Sequence, residues 1–359
     1  MNLTEYGWNR FFEIQLQNTL GMPARVTAVH KERYEIVCGH GFTHARLKSA
    51  VYYNDCAEAF PTTGDFVLIQ HNPGGDSLIV KTLERKTLFS RRDPTPGRGE
   101  QAVAANFDYV FIMQSLNHDF NTKRLERYAT QAWQSGAVPV AVMTKADLVE
   151  DFHEQTRAAA KIARGMEVVA VSVVSKLGLD ALVEYLKPGK TIVFLGSSGV
   201  GKSSLVNALA GEDIMAVNTI REDDSRGRHT TTHRQLLRLQ SGALLIDTPG
   251  MRELGMWDVS AGLGEAFADV SEFLGKCRFA DCRHESEPGC AVRGAIALGE
   301  LPAERWQSYL RLQKEAKYSS DRPAALREKK QWHKSIAKQN KQLQKNKARK
   351  LPGPFGRED

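Results

Sequence analysis

The run Gly196-Ser197-Ser198-Gly199-Val200-Gly201-Lys202-Ser203-Ser204 has the residue types and the spacing of a phosphate-binding loop, G-x-x-x-x-G-K-[ST]. Its glycines let backbone N–H groups approach phosphate oxygens, and the helix expected to follow adds the positive end of its dipole. We expect the ammonium group of Lys202 to reach the β- and γ-phosphates and to take part in catalysis, and the hydroxyl of Ser203 to ligate Mg²⁺. The pattern therefore predicts a nucleoside triphosphate site.

A second run, Thr144-Lys145-Ala146-Asp147, fits the guanine-reading sequence [NT]-K-x-D at the end of a predicted strand. The carboxylate of Asp147 can accept hydrogen bonds from both N1 and the N2 amino group of guanine, whereas adenine offers no such donor pair. The aliphatic stem of Lys145 would cover the base. Ser172-Val173, after the next predicted strand, is where a backbone N–H could meet guanine O6. The predicted nucleotide is GTP.

Two segments downstream of the phosphate loop have the composition of nucleotide-sensing switches. Residues 218–229 are polar and charged and lead into Thr230-Thr231-Thr232, from which we assign Thr231 to the Mg²⁺ shell. A predicted strand then delivers Asp247-Thr248-Pro249-Gly250. Asp247 would hold Mg²⁺ through water, and the Gly250 N–H would sense the γ-phosphate.

The residue that orients the attacking water is not the usual one. Many GTPases place a Gln directly after the second-switch glycine, but that position is Met251 here. An apolar side chain cannot orient water, so our hypothesis assigns this catalytic role to His229, at the end of the first switch.

A cluster of metal-binding residue types follows, with the spacing Cys277-x4-Cys282-x-His284-x5-Cys290. Three thiolates and one imidazole complete a tetrahedral zinc shell, and a closed shell of this kind is structural because no position is left for water. Only two of the five cysteines lie outside the cluster. This clustering in a long chain favours metal ligation in a reducing cytoplasm over disulfide bonds.

The elements that must position these motifs divide the chain into five predicted parts. Short strands separated by turns predict a small β-barrel of the oligonucleotide-binding type, and alternating strands and helices predict an α/β nucleotide-binding domain. Residues 84–105, rich in Arg, Pro and Gly, are interpreted as a mobile basic linker. The predicted parts are a helical arm (1–21), the barrel (22–85), the GTPase domain (86–260), a helical zinc module (261–320) and a basic tail (321–359).

The order of the motifs is itself informative. The usual GTP-binding domain begins with the phosphate loop and ends with the base-reading motif, but here Asp147 precedes Gly196 by 49 residues. The α/β domain is therefore predicted to be a circularly permuted P-loop GTPase, in which the second switch runs directly into the zinc module.

Composition limits the possible partners. The 359 residues are 42% hydrophobic and 25% charged, as in soluble globular proteins, and neither a secretory signal nor a membrane-spanning run is evident. The net charge of +7 is concentrated in the tail, where residues 321–350 hold eleven Lys or Arg against two acidic residues. Such a tail favours RNA as a partner. We expect a cytoplasmic protein, monomeric, without membrane contact.

Together the barrel, the permuted GTPase order, the run Gly227-Arg228-His229-Thr230-Thr231-Thr232 and the Cys/His spacing resemble the RsgA (YjeQ) family over about residues 22–320. The resemblance implies GTP hydrolysis stimulated by the small ribosomal subunit, a role in late maturation of that subunit, and rRNA contacts through the barrel and the zinc module. It also implies that Thr144–Asp147 and Gly196–Ser204 bind GTP and that the Cys/His cluster binds zinc. Thr144 stands where the family usually has Asn, which predicts a looser tie between the base-reading loop and the phosphate loop.

Two other functions are compatible with the same residues. One is an RNA-binding assembly factor that uses GTP only as a structural ligand, which subunit-independent and near-zero turnover would favour. The other is a metal-delivery GTPase whose Cys/His cluster carries cargo, which readily exchanging zinc would favour. A closed four-ligand shell argues against labile cargo.

Overall fold

The computed structural model describes residues 1–16, 20–31, 33–54, 59–92, 100–117, 119–163, 165–215, 234–247 and 260–320. The strands are β1 (Met22–Val29), β2 (Tyr34–Cys38), β3 (Gly41–Leu47), β4 (Phe66–Gln70), β5 (Ser77–Thr82), β6 (Leu88–Arg92), β7 (Glu100–Ala105), β8 (Tyr109–Ser115), β9 (Val138–Thr144), β10 (Glu167–Ala170), β11 (Thr191–Gly196), β12 (Gln235–Arg238) and β13 (Leu244–Asp247). The α-helices are α1 (Arg10–Glu13), α2 (Thr122–Gln134), α3 (His153–Ile162), α4 (Leu179–Val183), α5 (Lys202–Ala210), α6 (Ser260–Ala266), α7 (Ala268–Ser271), α8 (Ala291–Leu298) and α9 (Ala303–Ser320).

The first five strands close into a small barrel. Their order is β1-β2-β3-β5-β4, and β4 returns to pair with β1, so no edge of this sheet is left open. Alternate side chains fill the interior, among them Val26, Ile36, Val67 and Ile79, all fully buried. The predicted small five-stranded barrel is therefore confirmed.

The nucleotide-binding half is a parallel sheet in the order β10-β9-β8-β11-β13, with β12 antiparallel at its end. Its central strands are continuously apolar because helices cover both faces. Helices α4 and α5 pack on one face, α2 and α3 pack on the other, and the C-terminal helices pack against α2. This arrangement agrees with the predicted α/β domain.

The barrel and the parallel sheet are joined through backbone pairing. Strand β1 of the barrel pairs with β12 at Ala28 and Gln235, so one continuous sheet runs through both units. Arg25, 1% exposed, donates to the carbonyls of Tyr6 and Gly64, and to that of Asn106 at 2.8 Å. One guanidinium thus holds the N-terminal arm, the barrel and the GTPase domain together.

The predicted helical arm consists of short helical segments rather than one helix. Two 3₁₀ turns, Leu3–Tyr6 and Ile14–Leu16, flank α1. Asn2 and Asn9 cap the first two segments, and the αL residue Gly7 ends the first one.

The interpretation of residues 84–105 as a mobile linker is wrong for the part that the structure describes. Strands β6 and β7 form an antiparallel pair there. Phe89 and Val103 are buried, and the ring of Phe89 stacks on that of Phe107 with centroids 4.7 Å apart. The Arg, Pro and Gly content is typical of a linker, but the segment contains two short strands whose apolar residues pack onto the GTPase domain.

Helices α6 to α9 form a unit at the end of the described chain, called here the C-terminal module (residues 260–320). Among the described residues, no helix is both long and apolar enough to cross a lipid bilayer.

Candidate nucleotide site and metal centre

The predicted nucleotide-binding segments meet at one edge of the parallel sheet. Strands β9, β10, β11 and β13 run in the same direction, so the segments after them leave the sheet at the same edge. These segments hold Thr144–Asp147, Ser172-Val173, the phosphate loop and Asp247. Open α/β sheets bind ligands at this carboxyl edge.

The phosphate loop connects β11 directly to α5, the strand-loop-helix context that the motif requires. Gly199 and Gly201 have φ values of +71° and +96°, a region that side chains bearing a Cβ rarely adopt. At Gly196 a Cβ would lie 3.0 Å from the Met113 carbonyl oxygen, so the loop needs glycine there to follow the neighbouring strand closely. The backbone can thus present its N–H groups to an anion at the start of α5.

Lys202 and Asp247 form an ion pair at the centre of this edge. The ammonium nitrogen lies 3.0 Å from Asp247 Oδ1, and the carboxylate side chain is only 8% exposed. The pair brings the predicted phosphate-binding cation and the predicted Mg²⁺-linked carboxylate together. A nucleotide phosphate would offer Lys202 a second anionic partner, and Ser203 and Asp247 have the oxygen donors that Mg²⁺ prefers.

Thr144 ties the base-reading loop to the phosphate loop. Its hydroxyl, in a residue 5% exposed, lies 2.6 Å from the Val200 carbonyl oxygen and 3.3 Å from that of Gln114. Thr144 therefore reaches the phosphate loop directly, and the expected loosening relative to Asn stays a prediction. Short polar side chains can satisfy a nearby carbonyl wherever the backbone approach is close enough.

The carboxylate of Asp147 is held by the side chain of Ser172. Ser172 Oγ donates to Asp147 Oδ1 at 2.5 Å. The N–H of Ser172 donates to the Leu177 carbonyl, so Val173 is left as the residue for the N–H contact to guanine O6, which stays a prediction. Lys145 adopts a left-handed conformation, φ +59°, and begins the turn that carries Asp147.

The four predicted metal ligands form a compact cluster, with all ligand atoms within 4.8 Å of one another. His284 Nδ1 is 3.4 Å from the sulfurs of both Cys277 and Cys290 and 3.7 Å from that of Cys282. Ligands about 2.0–2.3 Å from a tetrahedral ion lie roughly 3.5–3.8 Å apart. The donor set and its spacing therefore fit zinc.

Burial and hydrogen bonds shift the pKa values of two of the ligand thiols in opposite directions. Burial opposes ionisation of Cys277, but the Ala291 N–H and the neighbouring thiols lower its pKa below the ordinary value. Burial raises the pKa of Cys282 to about 11. A bound metal deprotonates coordinating thiols outright. The ring of His284 meets Trp306 of α9 edge to face, which connects the cluster to the last helix.

The carboxylate of Glu287 orders the loop between the metal-binding residues Cys282 and Cys290. It accepts the backbone N–H groups of Arg283, Glu285 and Ser286 at 2.9 to 3.0 Å. These hydrogen bonds, that from Arg283 first, lower the pKa of Glu287 to about 2. The carboxylate therefore stays ionised and fixes the loop that presents His284.

One contact of the phosphate loop is not predicted by any sequence motif. Ser197 Oγ donates to Asp119 Oδ2 at 2.8 Å, from the segment between β8 and α2. Only the packing of β8 beside β11 brings these residues together.

Some of the predicted functional residues lie outside the described residues. These are His229, Thr231, Gly250, Met251 and the basic tail.

Comparisons with known proteins identify the class. A family model described as RsgA GTPase matches residues 82–257. "Small ribosomal subunit biogenesis GTPase RsgA 1" of Listeria innocua is 45% identical over 340 residues, which is 94% of this chain and 96% of that protein. A "Small ribosomal subunit biogenesis GTPase RsgA" of Methanosarcina acetivorans is 40% identical over 317 residues, 88% of this chain and 85% of the relative.

Solved structures agree. YjeQ from Thermotoga maritima aligns with a TM-score of 0.63 and 26% identity, covering 82% of this chain and 98% of that one. YloQ, described as a circularly permuted GTPase, aligns with a TM-score of 0.59 and 25% identity, covering 83% and 96%.

The fold and the site are thus those of a circularly permuted P-loop GTPase preceded by a five-stranded barrel. The chain belongs to the RsgA GTPase family. It is accordingly an enzyme that hydrolyses GTP, and family membership implies Mg²⁺ as the accompanying ion.

Proposed function

We propose that this protein hydrolyses GTP under stimulation by the small ribosomal subunit and acts in late maturation of that subunit through contacts with rRNA. The observation that carries the proposal is the meeting of Asp147, the phosphate loop and the Lys202–Asp247 pair at one sheet edge, in a chain that also has a barrel and a Cys/His cluster. The names of the relatives supply the ribosomal subunit as the partner.

In this mechanism the protein binds and orients the nucleotide. Asp147, fixed by Ser172, selects guanine, and the loop N–H groups with Lys202 neutralise the phosphates. Bound Mg²⁺ would be held by Ser203, Thr231 and Asp247 and would supply further neutralisation of phosphate charge. His229 orients the attacking water once the subunit orders the first switch.

Two surfaces support rRNA as the partner. On the barrel, Arg33 and Arg46 share Asp76, so two guanidinium groups are held on one surface. In the C-terminal module, Arg278 lies over the ring of Phe279, which is 43% exposed. Exposed cationic and aromatic groups of this kind bind phosphates and unstacked bases.

The cluster of Cys277, Cys282, His284 and Cys290 binds one structural zinc ion in this proposal. The ion would fix the loop that carries Arg278 and Phe279. The protein works as a cytoplasmic monomer, and the basic tail adds a further RNA contact.

The experiment is GTP turnover with and without purified small subunits, using ATP and large subunits as controls. We expect turnover to be slow alone and strongly stimulated only by GTP with small subunits. Tight GTP binding without stimulation would contradict the proposal and favour a nucleotide-stabilised RNA-binding factor.

A second measurement tests the role of His229. The His229→Ala variant is expected to bind GTP normally and to lose subunit-stimulated turnover. Full stimulated turnover with unchanged GTP affinity would exclude His229 as the water-orienting residue.

A further inference from the structure

We propose that helix α2 couples occupancy of the phosphate loop to the docking of the C-terminal module, and that Asp119 is the positioning residue that joins this helix to the loop. The inference rests on nucleotide binding at the phosphate loop as proposed above. It assigns a route that does not pass through the second switch.

The first link is between the phosphate loop and the start of α2. Ser197, the second residue of the loop, donates its hydroxyl hydrogen to Asp119 Oδ2 at 2.8 Å. Arg124, in the first turn of α2, donates to both oxygens of the same carboxylate at 2.9 and 3.1 Å. One carboxylate therefore holds the loop and the helix at once, through charge-assisted bonds on the helix side.

The segment that carries Asp119 is itself held in place. Asn121 caps α2 by accepting the Arg124 N–H at 3.0 Å. The side-chain amide of Gln114, at the end of β8, exchanges two hydrogen bonds of 3.0 Å with the backbone of Asn121. These bonds leave the connection between Asp119 and the first turn of α2 little freedom to change shape.

The second link is between α2 and the C-terminal module. A Cβ on Gly262 of α6 would lie 2.2 Å from the Thr130 carbonyl oxygen, so the two helices touch at backbone distance. The Gly262 N–H donates to Gln134 Oε1 at 2.8 Å. Close packing of this kind transmits displacement because little free space is available to absorb it.

Buried charges fix the same interface further along. Arg305 of α9 donates to Glu126 of α2 at 2.9 Å and to Asp269 of α7 at 3.0 Å, and all three side chains are less than a tenth exposed. Losing one partner of such a group leaves a buried charge uncompensated. A shift of the C-terminal module relative to α2 would therefore break ion pairs of the buried Arg305 and cost free energy.

The two links lie on one rigid element. Thirteen helical residues span about 20 Å, and a helix of this length moves as a unit. Entry of a phosphate redirects the loop N–H groups toward the ligand, and the peptide of Ser197 belongs to that loop. Coupling of this kind is reciprocal: if nucleotide binding stabilises the docked module, docking of the module raises nucleotide affinity by the same factor.

The route has a distinctive ligand dependence. The phosphate loop is filled by the β-phosphate, which GDP and GTP share, whereas a second-switch route depends on the γ-phosphate. Coupling through α2 therefore predicts that Mg²⁺ and GDP, without a γ-phosphate, are sufficient to stabilise the docking of the C-terminal module.

The test is hydrogen exchange of peptides from α6 and α9 in the full chain, with and without saturating Mg²⁺ and GDP, with saturation checked by calorimetry on the same samples. We expect GDP to slow exchange in these helices by about threefold or more. Ser197→Ala and Asp119→Ala should each abolish the GDP-dependent change when GDP is saturating. Ser197→Thr, which keeps the hydroxyl, should retain it.

The matched control is Asp180→Asn, which removes an exposed negative charge from the first turn of α4. It should respond to GDP as the unmodified protein does. A change that appears only with a non-hydrolysable GTP analogue, or that persists in Ser197→Ala, would overturn the inference. Bound GDP without any change would also overturn it, while absence of GDP binding would refute the proposed function itself.

Discussion

Replacing Thr144 with Val tests whether the tie between the two nucleotide-binding loops prepares the site. The hydroxyl lies 2.6 Å from the Val200 carbonyl oxygen. A methyl carbon approaches a carbonyl oxygen only to about 3.3–3.6 Å, so the loops must separate by about 0.7–1.0 Å. The carbonyl also loses its donor, which costs about 1–3 kcal/mol when the group is buried.

Both effects should be measurable. We expect the free energy of unfolding to fall by about 1–3 kcal/mol in urea titrations. In the proposed site GDP would contact both loops, and a displacement of about 1 Å can cost up to a hundredfold in a positioned site. Calorimetry should therefore show GDP affinity reduced by roughly ten- to a hundredfold.

Two controls separate local from general effects. Thr144→Ser keeps the hydroxyl and should preserve affinity. Thr62→Val removes an equally buried hydroxyl that donates to the Val103 carbonyl at 3.1 Å, at the joint between the barrel and β7. It should lower stability and leave GDP affinity unchanged. A Thr144→Val protein that is destabilised but binds GDP like the unmodified chain would refute the idea that this tie prepares the site.

Three further outcomes follow from the contacts described. Asp147→Asn should weaken GDP binding roughly a hundredfold or more and shift preference toward xanthosine diphosphate, because an amide N–H matches the O2 of xanthine; competition binding with both nucleotides checks this. Glu287→Ala removes the acceptor of three backbone N–H groups in the ligand loop, so zinc should pass faster to a chromogenic chelator at pH 7, and an unchanged rate would contradict it. Arg25→Met removes the donor to the Tyr6, Gly64 and Asn106 carbonyls, of which only that of Gly64 keeps a bond, from the Asn106 amide at 3.3 Å; it should cost about 3 kcal/mol or more in urea unfolding, with Arg25→Lys intermediate.

Local signals explain what could be predicted from the sequence. The phosphate loop, the base-reading run and the Cys/His spacing each hold their chemistry within a few consecutive residues. Each of the two nucleotide-binding motifs was placed at the end of a predicted strand, and parallel strands bring their carboxyl ends to one edge, which explains why the motifs meet in the structure. The order of the motifs was sufficient to predict the permutation, because it is read directly along the chain.

Contacts between distant residues required the tertiary structure. The direct bond from Thr144 to the Val200 carbonyl could not be predicted, because a hydrogen bond depends on backbone approach and not on residue type alone. The pairing of Ser172 with Asp147 and of Ser197 with Asp119 joins residues 25 and 78 positions apart. No local periodicity encodes such pairs.

The hairpin of β6 and β7 shows the same limit at the level of secondary structure. Its Pro, Gly and Arg content predicted a linker, but burial of Phe89 against Phe107 stabilises two short strands. The sequence by itself determined the residue sets of the nucleotide site and the candidate metal site, since those depend on residue types at fixed spacing. Only the tertiary structure decided how the sites are connected, since packing across the sheet and along α2 brings distant segments into contact.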